Sequence, residues 1–259
     1  IDSAVSLIDE FDVPTCADIK HNKACGVASR DRLKDVWEAA LACDPVSAYG
    51  GVAIVNREVD EIVAAEMDKI FLEVVMAPSY TAKAVEILRQ KKNRIILLRK
   101  QSEADRVMFR SMLGGVLWQE RDRANESAAD MRPVTVRHPS EDEYQDLVFA
   151  NRIVKHSRSN AIVLARGKQL CASGIGQTSR IDALRQAIEK AHSFGLSIEG
   201  AVMASDAFFP FPDSVTTAHE AGITAVVQPG GSVRDQESID YCNKNNVAMV
   251  FTGIRHFKH

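Results

Sequence analysis

Lys20 and His21 set side by side a permanent cation and an imidazole, the side chain that exchanges protons near neutral pH. At the mouth of a short strand such a pair suits acid–base work on a polar substrate. Gly26, four residues beyond Asn22, permits close approach of backbone to a ligand. A solvated strand end with a surface histidine explains an isolated Lys-His pair as readily. The run 205–213, Ser-Asp-Ala-Phe-Phe-Pro-Phe-Pro-Asp, follows the apolar stretch 201–204. A rigid, aromatic, acid-flanked turn there places stacking faces and carboxylates at the rim of a sheet, where α/β proteins bind ligands. A hydrophobic plug closing a core is the competing reading.

Three further places carry suitable residue types. The loop 44–51, Asp-Pro-Val-Ser-Ala-Tyr-Gly-Gly, enters a strand through paired glycines, so Gly50 can let a flat ring lie on the main chain; an ordinary tight turn explains it equally. Glu73 falls inside the apolar run 71–76, where a carboxylate must find a partner or lie near an open edge. Ser157-Arg158-Ser159-Asn160 precedes a strand, and Gly174-Ile175-Gly176-Gln177-Thr178-Ser179-Arg180 opens a helix. Free N–H groups and a helix dipole make the second stretch a possible anion cradle, although it has no P-loop or dinucleotide spacing and Ser179 also suits an N-cap. The ending 253–259, Gly-Ile-Arg-His-Phe-Lys-His, reads as a tail that docks.

Positioning these residues requires a folded α/β scaffold. The chain has 259 residues, 46% of them hydrophobic, enough for a large core and for two lobes. A net charge of −3 without a basic block excludes duplex DNA or an anionic membrane as the main partner. No apolar run reaches the length of a membrane span. The five cysteines are scattered, odd in number and lack a C-x-x-C pair, which implies a reducing, cytoplasmic setting and no metal site.

Periodicity predicts an α/β series with strands at 15–20, 51–55, 70–76 and 94–98, and helices at 31–43, 59–67 and 82–90. A polar connector over 119–140 follows. A second series has helices at 141–155, 180–194, 213–220 and 235–245, and strands at 161–165, 169–173, 201–204, 223–228 and 247–252. The expectation is an α/β fold of two similar lobes, 1–128 and 129–259, arising by duplication, although no residue-level repeat is visible.

Taken together, KHNKACGVA, DPVSAYGG, KHSRSNAIVLA, GQTSR, SDAFFPFPDSV and FTGIRHFKH resemble, in order and across nearly the whole chain, the transformylase part of the bifunctional AICAR transformylase/IMP cyclohydrolase family. The resemblance implies two cytidine-deaminase-like lobes and formyl transfer from 10-formyltetrahydrofolate to the 5-amino group of AICAR in a cytoplasmic homodimer. It further implies that Lys20 and His21 flank the attacking amine and that Asn160 assists proton transfer or holds the oxyanion. Phe208 then stacks in the pocket, Pro210 and Asp213 border the folate, and Gly50, Glu73, Arg180, Arg255 and Phe257 line the nucleotide pocket, Glu73 standing where the family often has Asp.

The chain departs from the pattern in places. The family usually reads K-H-x-N-P-C-G, whereas here Lys23-Ala24-Cys25-Gly26 follows Asn22 without the proline. The family's RYG-x-N-P-H-Q segment and its cyclohydrolase domain do not occur, so the chain is expected to be the C-terminal part of a longer protein. Two rival readings are a zinc deaminase, against which the missing H-x-E and C-x-x-C ligands count, and a non-catalytic folate- or nucleotide-binding or dimerisation module.

Overall fold

The computed structural model describes residues 1–100 and 105–258. The first series runs α1 (Asp2–Ile8), β1 (Thr15–Lys20), β2 (Lys23–Ser29), α2 (Leu33–Cys43), α3 (Pro45–Ala48), β3 (Gly51–Val55), α4 (Glu61–Asp68), β4 (Leu72–Ala77), α5 (Ala82–Leu88) and β5 (Ile95–Leu98). A hairpin of β6 (Val107–Met112) and β7 (Gly115–Glu120) follows, then a 3-10 turn and β8 (Arg132–Pro133). The second series is α6 (Glu141–Lys155), β9 (Ala161–Ala165), β10 (Leu170–Ile175), α7 (Arg180–Ser193), β11 (Val202–Ser205), α8 (Asp213–Glu220), β12 (Ala225–Gln228), α9 (Asp235–Lys244) and β13 (Ala248–Phe251).

Local chemistry sets the ends of several helices. Pro45 opens α3 while the Asp44 side chain accepts from the Ser47 amide. Asp60 caps α4 through the Val63 amide, which is why the helix begins later than the apolar period suggests. Ser140 and Glu143 form a reciprocal capping box at the start of α6. Val36, Trp37 and Ala40 make the buried stripe of α2.

The protein is α/β, and its two main sheets repeat one plan. Their orders are β2-β1-β3-β4-β5 and β10-β9-β11-β12-β13-β8. In each, an antiparallel hairpin is followed by a strand antiparallel to the first, then by two parallel additions. The sheets meet edge to edge, where Ala28 bridges Gln169 and the Ser29 amide donates to the Lys168 carbonyl. Strand alternation divides the side chains between two faces. On one face Leu7, Ile8, Leu147 and Ile153 of α1 and α6 pack with Ala17, Ile54, Val163 and Val227 in a core common to both sheets. On the other, α2, α4 and α5 cover the first sheet, and α7, α8 and α9 the second.

Two expectations need correction. The segment after His21 is the strand β2, because His21 and Asn22 form a two-residue turn that folds the chain back in register. The stretch 119–140 is not a plain connector: it holds the end of β7 and also β8, which pairs with β13 through Phe251 and Arg132.

Candidate functional site

The Lys20–His21 pair sits at the tip of the β1–β2 hairpin. Lys20 pairs with Lys23 across the turn, and His21 and Asn22 both take positive φ, 51° and 62°. That is the geometry of a mirror-image hairpin turn, whose twist matches that of the flanking strands. His21 is thereby exposed, and the Lys20 ammonium donates to the Tyr49 carbonyl. Cys25 is the extra residue of a bulge in β2, and its thiol donates to the Asp18 carbonyl.

A cleft of about 380 Å³ opens beside this hairpin. Its walls include Lys20, His21, Lys23, Cys25 and Ser47 from the first series and Ser173, Gln177, Gln186 and Lys190 from the second. The cleft is therefore made where the two sheets meet. Lys190 spans the junction in an ion pair of 2.7 Å with Asp44, a carboxylate held below its usual range because the Lys190 and Ser47 bonds outweigh its burial. Lys20 and Lys23, beside the Lys190–Asp44 pair, give the cleft a cationic lining suited to a polar, anionic ligand.

Gly50 and Glu73 lie at the neighbouring end of the first sheet. Gly50 has φ of 72° and donates its amide to the Phe71 carbonyl at 2.8 Å, beside the Tyr49–Phe71 ring pair. Gly51 pairs with Leu72 and Val52 with Val74, so Glu73 is bulged out of the ladder. That bulge turns its side chain to solvent and removes the conflict of a carboxylate in an apolar strand.

Asn160, Arg180, Phe208, Arg255 and Phe257 gather on the second sheet. The Asn160 amide nitrogen donates to the Gln177 and Thr178 carbonyls, both at 3.1 Å, so Asn160 reaches the cleft through Gln177 and not as part of its wall. Arg180, the first residue of α7, binds the fully buried Asp206 at 3.1 Å, and Ser179 serves as the N-cap. The Asp206 carbonyl accepts from the His256 amide, and the Arg255 guanidinium lies 4.8 Å from the centre of the Phe208 ring. The tail is docked: Lys258 exchanges hydrogen bonds with Ser159, while Phe257 is half exposed. His259 lies outside the described residues.

The aromatic turn divides its labour. Phe209 is fully buried in the second core, while Phe208 is half-buried beneath Arg255 and Phe211 is exposed beneath Arg234. The plug reading holds for Phe209, and Phe208 does not line the cleft beside the hairpin. Pro210 is exposed, and Asp213, also exposed, begins α8 with its carboxylate accepting from the Ser214 amide.

Sequence reasoning missed Lys190, Gln186 and Ser173, because only the junction of the two sheets brings them opposite His21. His256, read from the sequence only as part of a docking tail, has its imidazole buried between Asp122 and Glu126. All five cysteines are free and buried, and among the described residues no group of His, Cys, Asp or Glu is arranged to hold a metal. Among the described residues, no helix is long and apolar enough to cross a membrane.

These features define an α/β protein with two like sheets and a cationic cleft at their junction. The chain belongs to the AICARFT/IMPCHase bienzyme family, whose model matches residues 1–190. It is 60% identical over 259 residues to the bifunctional purine biosynthesis protein PurH of Bacteroides thetaiotaomicron, covering 100% of this chain and 51% of that protein. The PurH proteins of Caldicellulosiruptor saccharolyticus (51% over 263 residues, 100% and 50% covered) and Aquifex aeolicus (48% over 260 residues, 100% and 51% covered) are also similar. The chain thus spans about half the length of the curated relatives it matches. Among solved structures, a diaminohydroxyphosphoribosylaminopyrimidine deaminase/5-amino-6-(5-phosphoribosylamino)uracil reductase from Thermotoga maritima aligns with 18% identity over 42% of this chain and 34% of its own, at a TM-score of 0.29. That likeness is too low to bear on the fold.

Proposed function

We propose that this chain carries the formyl-transfer half of a bifunctional purine-biosynthesis enzyme, moving the formyl group of 10-formyltetrahydrofolate to the 5-amino group of AICAR. The observation that carries the reading is the exposed Lys20–His21 turn at the edge of the cationic cleft. Membership of the AICARFT/IMPCHase bienzyme family supports it. The cyclohydrolase activity in the family's description would then belong to a part of the protein beyond this chain.

The amine is a weak nucleophile because its lone pair is delocalised toward the ring carboxamide. As it attacks the formyl carbon, a carbon–nitrogen bond forms and the amine proton passes to His21. Lys20 stabilises the tetrahedral oxyanion, a role in which preorganised charge supplies much of the rate. Collapse breaks the bond to the folate nitrogen, which leaves with a proton returned by His21. Asn160 acts through the Gln177 wall unless ligand binding frees its amide.

In this reading Phe208 and Arg255 present a stacking face to a ring, with Pro210 and Asp213 on the folate side and Gly50, Glu73, Arg180 and Phe257 on the nucleotide side. Phe208 does not line the cleft that holds Lys20 and His21, and in this reading the protein is a homodimer in which neighbouring subunits complete one another's sites. The repeated sheet order supports two lobes, 1–128 and 129–259, of deaminase-like ancestry. Spectrophotometric release of tetrahydrofolate that depends on AICAR tests the reaction. Saturable folate binding without turnover would instead favour the binding-module reading.

A further inference from the structure

The polar stretch 121–126 does more than link two series. On one side it is anchored to α6: the Lys155 ammonium donates to the Ala124 carbonyl at 2.6 Å, Arg152 donates to Asn125 at 3.1 Å, and Asn151 donates to Glu126 at 3.1 Å. Lys155 in turn pairs with Glu10, next to α1, which also binds His156. On its other side the stretch offers two carboxylates to one imidazole. His256 Nδ1 is 2.6 Å from Asp122 and its Nε2 is 3.3 Å from Glu126. His256 and Glu126 are both almost wholly buried.

Two acids face this imidazole, which favours its cation, because a buried carboxylate left without a partner is strongly disfavoured. Burial alone would push its pKa down; the Asp122 hydrogen bond and the nearby Glu126 carboxylate reverse that and hold it up at about 9. His256 is also fixed through its backbone, its amide donating to the Asp206 carbonyl. The residues on either side of it are Arg255, stacked over Phe208, and Phe257.

We propose that Asp122 and Glu126 are positioning residues: they form a socket for His256 that fixes the Arg255–Phe208 stack, which the formyl-transfer reading assigns to ligand binding, without themselves touching ligand. The ligand-site clause rests on the formyl-transfer reading above, whereas the socket itself does not.

The test uses the full chain as Asp122→Asn, Glu126→Gln and the double variant. Asp122 is partly exposed and Glu126→Gln keeps an acceptor for Asn151, so the single variants are the mild ones. Amide hydrogen exchange at His256 and Ser159, measured without ligand, is expected to quicken by about tenfold or more in the double variant while the amides of α6 hold their protection. KM for AICAR is expected to rise by about tenfold with kcat within about twofold of the parent. Unchanged exchange at His256 overturns the socket, and faster exchange with unaltered KM overturns its role in the ligand site. A parent chain without turnover counts against formyl transfer alone and leaves the exchange comparison to judge the socket.

Discussion

Gly26 and Gly174 hold the same place in the two sheets. A Cβ built on Gly26 would lie 2.1 Å from the Ala40 carbonyl oxygen of α2, and one on Gly174 would lie 1.8 Å from the Ala183 carbonyl oxygen of α7. In both halves the second strand of the hairpin carries a glycine so that a helix backbone can rest directly on it. This is the residue-level sign of the repeat, and it is invisible as sequence similarity because the glycine-to-helix spacing differs between the halves.

Gly174→Ala should therefore be strongly destabilising. The obstacle is backbone, which cannot rotate away, so α7 must lift off β10 at a cost of about 1–3 kcal/mol or more. Thermal melting should register a fall of several degrees, with Gly26→Ala behaving alike. A Gly174→Ala protein that melts with the parent would mean that the helix slides freely over the strand.

His21 is exposed at a turn, so its loss should affect chemistry and not folding. Asn tolerates the positive φ that His21 adopts, which makes His21→Asn the cleaner substitution. Turnover of 10-formyltetrahydrofolate with AICAR is expected to fall by about 10²–10⁴-fold, the usual value of a general base, with the melting temperature nearly unchanged. Comparable turnover in the variant would remove His21 from the proton-transfer role.

Adjacent aromatics should part company. Phe209→Ala opens a cavity in a fully buried position and should cost about 3–5 kcal/mol in denaturant unfolding. Phe208→Ala removes a half-buried ring under Arg255 and should cost less stability than Phe209→Ala while weakening ligand binding. Equal losses of stability for the two would contradict the division between core and wall.

Much of this was legible in the sequence, and the gaps have physical causes. The elements from α6 onward followed from strong 3.6-residue and two-residue patterns, and the capping box at Ser140 marks its helix outright. The strand β2 was not read, since Lys-Ala-Cys-Gly-Val-Ala-Ser has little β-branching and its pairing depends on two residues in left-handed backbone. Glu73 is exposed because it is bulged out of the strand, and a bulge leaves no mark in composition. The cleft wall from α7 and the socket for His256 depend on partners more than a hundred residues apart in the chain. Contacts of that range have no local signature.

Asp18 gives a prediction that turns on pH. Its carboxyl is fully buried in β1, neither oxygen has a hydrogen-bond partner among the described residues, and the thiols of Cys16 and Cys25 are neighbours. Burial raises its pKa from 3.8 to about 7. Because the folded value lies above the unfolded one, the neutral acid is tolerated below 3.8, and stability is lost progressively as pH rises from there through about 7. Asp18→Asn cannot ionise, so it should escape this loss. Above about pH 8 the variant should be the more stable, on the order of a few kcal/mol, and near pH 4 the difference should shrink to that between two neutral groups. Urea unfolding of both proteins across this range reads the difference directly, since the other titrating groups are shared and cancel. A stability gap that stays constant with pH would show that Asp18 titrates alike in the folded and unfolded chain, its charge being compensated in the folded protein.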